Sequence, residues 1–215
     1  LKIKTFRFKD PFSGISHAIG AVLALVGLIT LLILAQGRPW HVTSFAIYGV
    51  TLILLFIASS LYHSLRVSPR TETALYAFDR AAIYCLIAGT YTPLCWLALP
   101  SGWGWTLFGI VWGMAIVGII GDILLKHRTP DWLQMLFYFA VGWVALIAIE
   151  PLVKSLSFGA LFWLAAGSIL YTIGAFFCVT NRPHLKPGVF DAHDLWHVFV
   201  LAASACHFIV MLLLL

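Results

Sequence analysis

Apolar residues fill seven long stretches of the chain, and polar or helix-breaking residues gather in the short segments between them. The stretches run approximately over 13–35, 41–65, 73–98, 104–125, 132–149, 158–180 and 191–215. Each approaches or exceeds the roughly 20 residues an α-helix needs to cross a hydrocarbon core. Gly37-Arg38-Pro39, Ser68-Pro69, Pro100-Ser101-Gly102, Thr129-Pro130, Pro151 and the segment 183–188 punctuate them. Runs this long, without period-two alternation, argue against strands. The pattern predicts an all-α integral membrane protein: a seven-transmembrane helical bundle over 13–215, preceded by a basic segment over 1–12. The first run is too long for the apolar core of a secretory signal, so it reads as a span. No internal repeat divides the bundle into two halves. Inside the third span, Thr90, Thr92 and Pro93 predict a kink, with threonine hydroxyls covering the backbone group that proline frees. The glycines of spans four and six (Gly109, Gly113, Gly118, Gly121, Gly167, Gly174) read as close helix packing.

Composition sharpens this picture. The 215 residues are 62% hydrophobic and only 10% charged, where a soluble domain carries about a quarter charged residues. The net charge of +5 does not indicate a nucleic-acid binder, because the basic residues sit in short clusters between apolar runs. Lys2, Lys4, Arg7, Lys9, Arg66, Arg70, Lys126, Arg128, Arg182 and Lys186 fall on one side of the bundle, and only Arg38 and Lys154 on the other. Lysine and arginine favour cytoplasmic loops, so the expected orientation is N-terminus cytoplasmic, C-terminus outside. Trp40, Trp96, Trp103, Trp105 and Trp132 near span ends suit the interfacial belt. The four cysteines lie in apolar stretches without metal-ligand spacing and read as packed thiols.

Ionisable residues inside a bilayer are costly, so each marks a candidate site. His17, His63, Asp79, Asp122, His193 and His197 all fall near the cytoplasmic end of their spans. His193 and His197 are four apart and share one helix face, as a two-point metal chelate requires. Ser59 stands in the same relation to His63. Three histidines plus water form the usual open zinc site. The assignment is therefore His63, His193 and His197 as zinc ligands, Asp79 hydrogen-bonded to the bound water, and Ser59 orienting a ligand or polarising a substrate carbonyl. The competing readings are an interfacial His63 beside Tyr62 and an Asp79 paired with Arg80. His17 either lines the site or packs at the helix start. Asp122 either lines the site or pairs with Lys126, four residues on. His207 lies about 15 Å further along the seventh span, too far for the same ion, and is expected to hydrogen-bond a neighbouring helix. His41, His127 and His184 fall in or beside loops and read as solvated.

Ser59-x-x-x-His63, Phe78-Asp79-Arg80 and His193-x-x-x-His197, with Ser16-His17-Ala18-Ile19-Gly20, Ala88-Gly89-Thr90-Tyr91-Thr92-Pro93 and Trp196-His197-Val198-Phe199, resemble the progestin and adipoQ receptor family, and within it the bacterial hemolysin III branch. Ser13 stands where that family often has Asn or Glu. The resemblance implies seven helices with a cytoplasmic amino terminus, a multi-pass place in the bacterial plasma (inner) membrane, and an intramembrane zinc held by three histidines with Asp79 linked through water. Relatives are associated with receptor signalling and ceramide hydrolysis. The leading functional expectation is a zinc-dependent, ceramidase-like hydrolase acting on a membrane lipid amide or ester and so affecting lipid homeostasis. The alternatives are a non-enzymatic sensor or receptor with a structural zinc, and a pore-forming hemolysin-like protein. The lipid bilayer is the expected partner, as substrate source or donor of a bound fatty acid; the oligomeric state stays open.

Overall fold

The computed structural model describes residues 9–125, 128–183, 186 and 190–215. Helices α1 (Pro11–Leu34), α2 (Pro39–Ser64) and α3 (Pro69–Pro93) each open on a proline. At that position the missing N–H would have had no intrahelical acceptor, and the fixed φ already suits a helix. They are followed by α4 (Ser101–Leu124), α5 (Asp131–Gly142), α6 (Ile149–Ser155), α7 (Phe158–Thr180) and α8 (Ala192–Leu213). Because α2 starts at Pro39, His41 sits in its first turn, beside the loop. His127 and His184 lie outside the described residues. Among those described, seven spans are long and apolar enough to cross a membrane, and the only β pairing is an isolated bridge between Lys186 and Phe190.

Two spans depart from regular helix. After Pro93, α3 widens into a π-helical turn, Leu94–Ala98, closed by Leu99 N–H donating to the Leu94 carbonyl at 3.2 Å. The wider turn accommodates the proline. The Thr90 and Thr92 hydroxyls bond the Leu86 and Ala88 carbonyls instead, not the Gly89 carbonyl that Pro93 leaves unserved. The fifth span runs over Trp132–Ser155, longer than the pattern indicated, and is broken: α5 passes through a 3₁₀ turn, Val144–Ala148, into α6. Pro151 does not end this span. It occupies the first turn of α6, where its missing donor is harmless. The break needs polar partners in a medium without water, and Tyr91 supplies them. Its hydroxyl donates to the Gly142 carbonyl at 2.6 Å and accepts from Ala145 N–H at 2.9 Å.

Two apolar clusters hold the bundle together. One gathers Phe45, Tyr48, Leu52, Leu55, Phe56 and Val200 of α2 and α8 against α1 and α3. The other packs Tyr84, Leu94, Leu107, Val111, Val141 and Leu152 from α3 to α6. The outer faces are equally apolar: Val22, Leu124 and Phe158 are 62%, 73% and 85% exposed. A surface of this kind is stable only in lipid.

The glycines divide. A Cβ at Gly118 would lie 2.4 Å from the Tyr84 ring, at Gly167 2.6 Å from the His207 imidazole, and at Gly174 2.5 Å from Phe199, so these three do permit close helix approach. Gly109, Gly113 and Gly121 have nothing within 4 Å. The packing role read for them from sequence is wrong, because α4 turns that face away from its neighbours.

Candidate metal centre

Two helix ends bring three histidines to one point. His63 lies in the last turn of α2, and His193 and His197 in the first two turns of α8. A reciprocal capping box starts α8: Asp191 accepts from the His193 and Asp194 N–H groups at 2.8 and 3.0 Å, while Asp194 accepts from Asp191 N–H at 3.2 Å. This satisfies orphan first-turn donors and fixes where the two histidines begin. The spacing of four then stacks them on one face.

The Nε2 atoms face one another. His193 Nε2 is 3.3 Å from His63 Nε2 and 3.1 Å from His197 Nε2. Tetrahedral zinc with Zn–N near 2.05 Å would set its nitrogens about 3.3 Å apart, so the separation fits. The hydrogen-bonding alternative does not satisfy the group. His63 Nδ1 lies 3.0 Å from Asp10 Oδ2; its proton belongs there, which leaves Nε2 a lone pair. A single N–H on His193 could serve only one of its two neighbours. Lone pairs converging from three rings call for a cation; His63 and His197 are buried, at 4% and 2% exposure, while His193 is exposed at the site's edge. The same three residues form a set whose donor atoms lie within 4.8 Å of one another.

The carboxylate and hydroxyl singled out in the sequence lie close by. Ser59 and Asp79 interact with each other, and both line the cavity that also exposes the triad. His17 lines it too, with its ring centroid 4.0 Å from that of His197. Asp79 does not pair with Arg80. The Arg80 guanidinium turns to Asp122, Nη2 to Oδ1 at 2.8 Å, and to the Tyr76 hydroxyl at 2.5 Å. Asp122 therefore stands behind Arg80, outside the cavity wall. Its other suggested partner, Lys126, is outside the described residues. His207 meets α7 through the Tyr171 ring, with centroids 5.7 Å apart.

Two contacts were not anticipated. Asp10 is one. The other is Cys178, whose sulfur lies 3.7 Å from His193 Nδ1 on the cavity wall. It is not simply a packed thiol. Lys9, next to Asp10 in the chain, places its ammonium 2.7 Å from Glu72 and 3.9 Å above the Tyr62 ring. Partial burial opposes its charge, but the Glu72 and Tyr62 contacts outweigh that and raise its pKa.

The cavity holds about 910 Å³, at the upper end of small-molecule sites. From the triad it follows α8 past Val200 to His207, ten residues on and so about 15 Å along the helix axis. Its far wall includes Leu146, Ile149 and Val153, which remain 49–55% exposed. The cavity is thus partly open along α5, α6 and α7.

Comparison with known proteins agrees with this architecture. A family model described as Haemolysin-III related matches residues 6–208. The chain belongs to that family. It is 39% identical over 213 residues to Hemolysin-3 of Bacillus cereus, covering 98% of this chain and 94% of that protein. It is 38% identical over 210 residues to the Hemolysin-3 homolog of Bacillus subtilis (strain 168), covering 96% and 95%. A human relative, the monocyte to macrophage differentiation factor, is 30% identical over 204 residues, covering 90% and 79%. That relative ties this family member to the progestin and adipoQ receptor family.

Proposed function

We propose that this family member is a zinc-dependent hydrolase of a membrane lipid amide or ester, oriented with its N-terminus in the cytoplasm of a bacterial cell and its site in the inner leaflet of the plasma membrane. The observation that carries the reading is the position of three converging imidazoles at one end of a long apolar cavity that is partly open. His63, His193 and His197 would hold the ion through Nε2. When bound there, zinc supplies Lewis acidity that acidifies water and polarises a carbonyl.

The chain's own residues supply the rest. Asp79 accepts a proton from the attacking water on a carboxylate oxygen, and Ser59, interacting with that carboxylate, keeps it turned toward the cavity. The apolar wall from Leu86 and Leu94 to Leu164 binds the acyl chain and excludes bulk water. Exposed Leu146 and Val153 mark the side from which lipid enters. The collected proton leaves with the amine or alcohol product.

The test is lipid hydrolysis in proteoliposomes, with released fatty acid followed by mass spectrometry across ceramide and glycerolipid substrates. Asp79→Ala should abolish release while the protein retains metal. If no lipid class is consumed, yet chelation still lowers thermal stability, the ion is a structural staple between α2 and α8 and the enzyme reading is wrong.

A further inference from the structure

We infer that the first turn of α1 positions the metal ligands: Asp10 sets the His63 imidazole, and Ser13 sets the end of α8 that carries His193 and His197. The inference deepens the reading above and rests on its three-histidine site, but not on catalysis.

Asp10 occupies the N-cap of α1, where an aspartate ordinarily accepts from its own helix's N–H groups. Here it makes no such bond. Its carboxylate lies instead 3.0 Å from His63 Nδ1. The local cap is forgone for a contact 53 residues away. The contact has two effects. It selects the tautomer with a free Nε2 lone pair, and its negative charge makes that nitrogen a stronger donor to a cation. The backbone fastens the same point, with Asp10 N–H donating to the His63 carbonyl at 2.8 Å.

One turn later the helix reaches the other ligands. Ser13 is completely buried and donates its hydroxyl to Asp194 Oδ1 at 2.7 Å. Asp194 is the residue whose other oxygen closes the capping box on Asp191, and Asp191 receives the His193 N–H. A shift at Ser13 is therefore passed to the backbone from which both histidines project. Gly14 lets α1 sit this close: a Cβ there would lie 2.4 Å from Ser64 Oγ, and Ser60 bonds the Gly14 carbonyl at 2.9 Å. A single turn thus holds the end of α2 and the start of α8 at the separation where three Nε2 atoms can share one ion.

The experiment uses the purified full chain in detergent and measures metal rather than turnover. Zinc affinity is read by competition with a chromophoric chelator, and ligand geometry by the visible spectrum of the cobalt(II) form. Asp10→Ala should weaken zinc binding by about 10–100-fold and change the cobalt spectrum, with the metal-free melting temperature unchanged. Asp10→Glu should recover most of the affinity, and Asp10→Asn, which keeps an acceptor but loses the charge, should fall between. Ser13→Ala should alter the cobalt spectrum through both α8 ligands. If Asp10→Ala binds zinc like the parent while His63→Ala loses it, the positioning role is wrong. The same follows if Asp10→Glu recovers nothing and the metal-free protein melts lower, because Asp10 would then serve only the fold. An unchanged cobalt spectrum in Ser13→Ala removes the α8 half. Retention of zinc by His63→Ala overturns the three-histidine site itself, and this inference with it.

Discussion

Replacing Asp122 by alanine takes the counter-charge from a guanidinium that the bundle has enclosed. The Arg80 and Asp122 side chains are only 7% and 5% exposed, with nitrogen and oxygen 2.8 Å apart. At an effective dielectric constant near 20, two unit charges at that distance attract by roughly 6 kcal/mol. Relaxation reduces what is lost, and removing one partner of a buried pair typically costs about 3–5 kcal/mol. The Tyr76 hydroxyl remains on Arg80, which favours the lower half of that range. For a chain of this size a loss in that lower half corresponds to a fall of roughly 6–16 °C in Tm. The assay is thermal unfolding in detergent, comparing Asp122→Ala, Arg80→Met and the double variant Arg80→Met/Asp122→Leu. The double variant should be more stable than either single one, since it buries no unpaired charge. If Asp122→Ala melts within 2 °C of the parent, a margin below the roughly 1 kcal/mol scale of that conversion, the pair is not the buried interaction described. A double variant no better than the singles would also refute the electrostatic account.

Two further substitutions and one control probe the helix contacts. Tyr91→Phe removes the hydroxyl that serves both sides of the break in the fifth span; a destabilisation of about 1–3 kcal/mol is expected, with faster hydrogen exchange at Ala145. Gly118→Ala places a methyl 2.4 Å from the Tyr84 ring and should cost about 1–3 kcal/mol in the same unfolding assay, whereas Gly113→Ala, which meets nothing, should be neutral.

Much of this was legible in the chain because a membrane imposes simple rules. Span length and apolar composition marked seven crossings, and the price of a buried ionisable group made His63, Asp79, His193 and His197 conspicuous before any contact was known. A spacing of four on one helix has a fixed geometric meaning, so the His193–His197 pair was visible directly. What was hidden depends on which helices meet. Asp10 sits in a basic segment outside the apolar runs, and nothing local signals a partner 53 residues away. Cys178 looked like any apolar-run cysteine until α7 placed it against His193. Arg80 had only Asp79 as a suggested neighbour, because sequence shows proximity along the chain and not the α3–α4 contact that joins Arg80 to Asp122. The break after Gly142 lies within an unbroken apolar run, and the tyrosine that makes it tolerable belongs to another helix.

The claim on which the rest depends is that His63, His193 and His197 hold one zinc ion together. Elemental analysis of the gently purified protein, with its three single alanine variants handled in parallel, tests this most directly. The account predicts one zinc per parent chain and loss of zinc in each variant at matched, folded protein concentration. Metal-free parent protein that cannot be reloaded with zinc, or variants that retain zinc at the parent level, would contradict it.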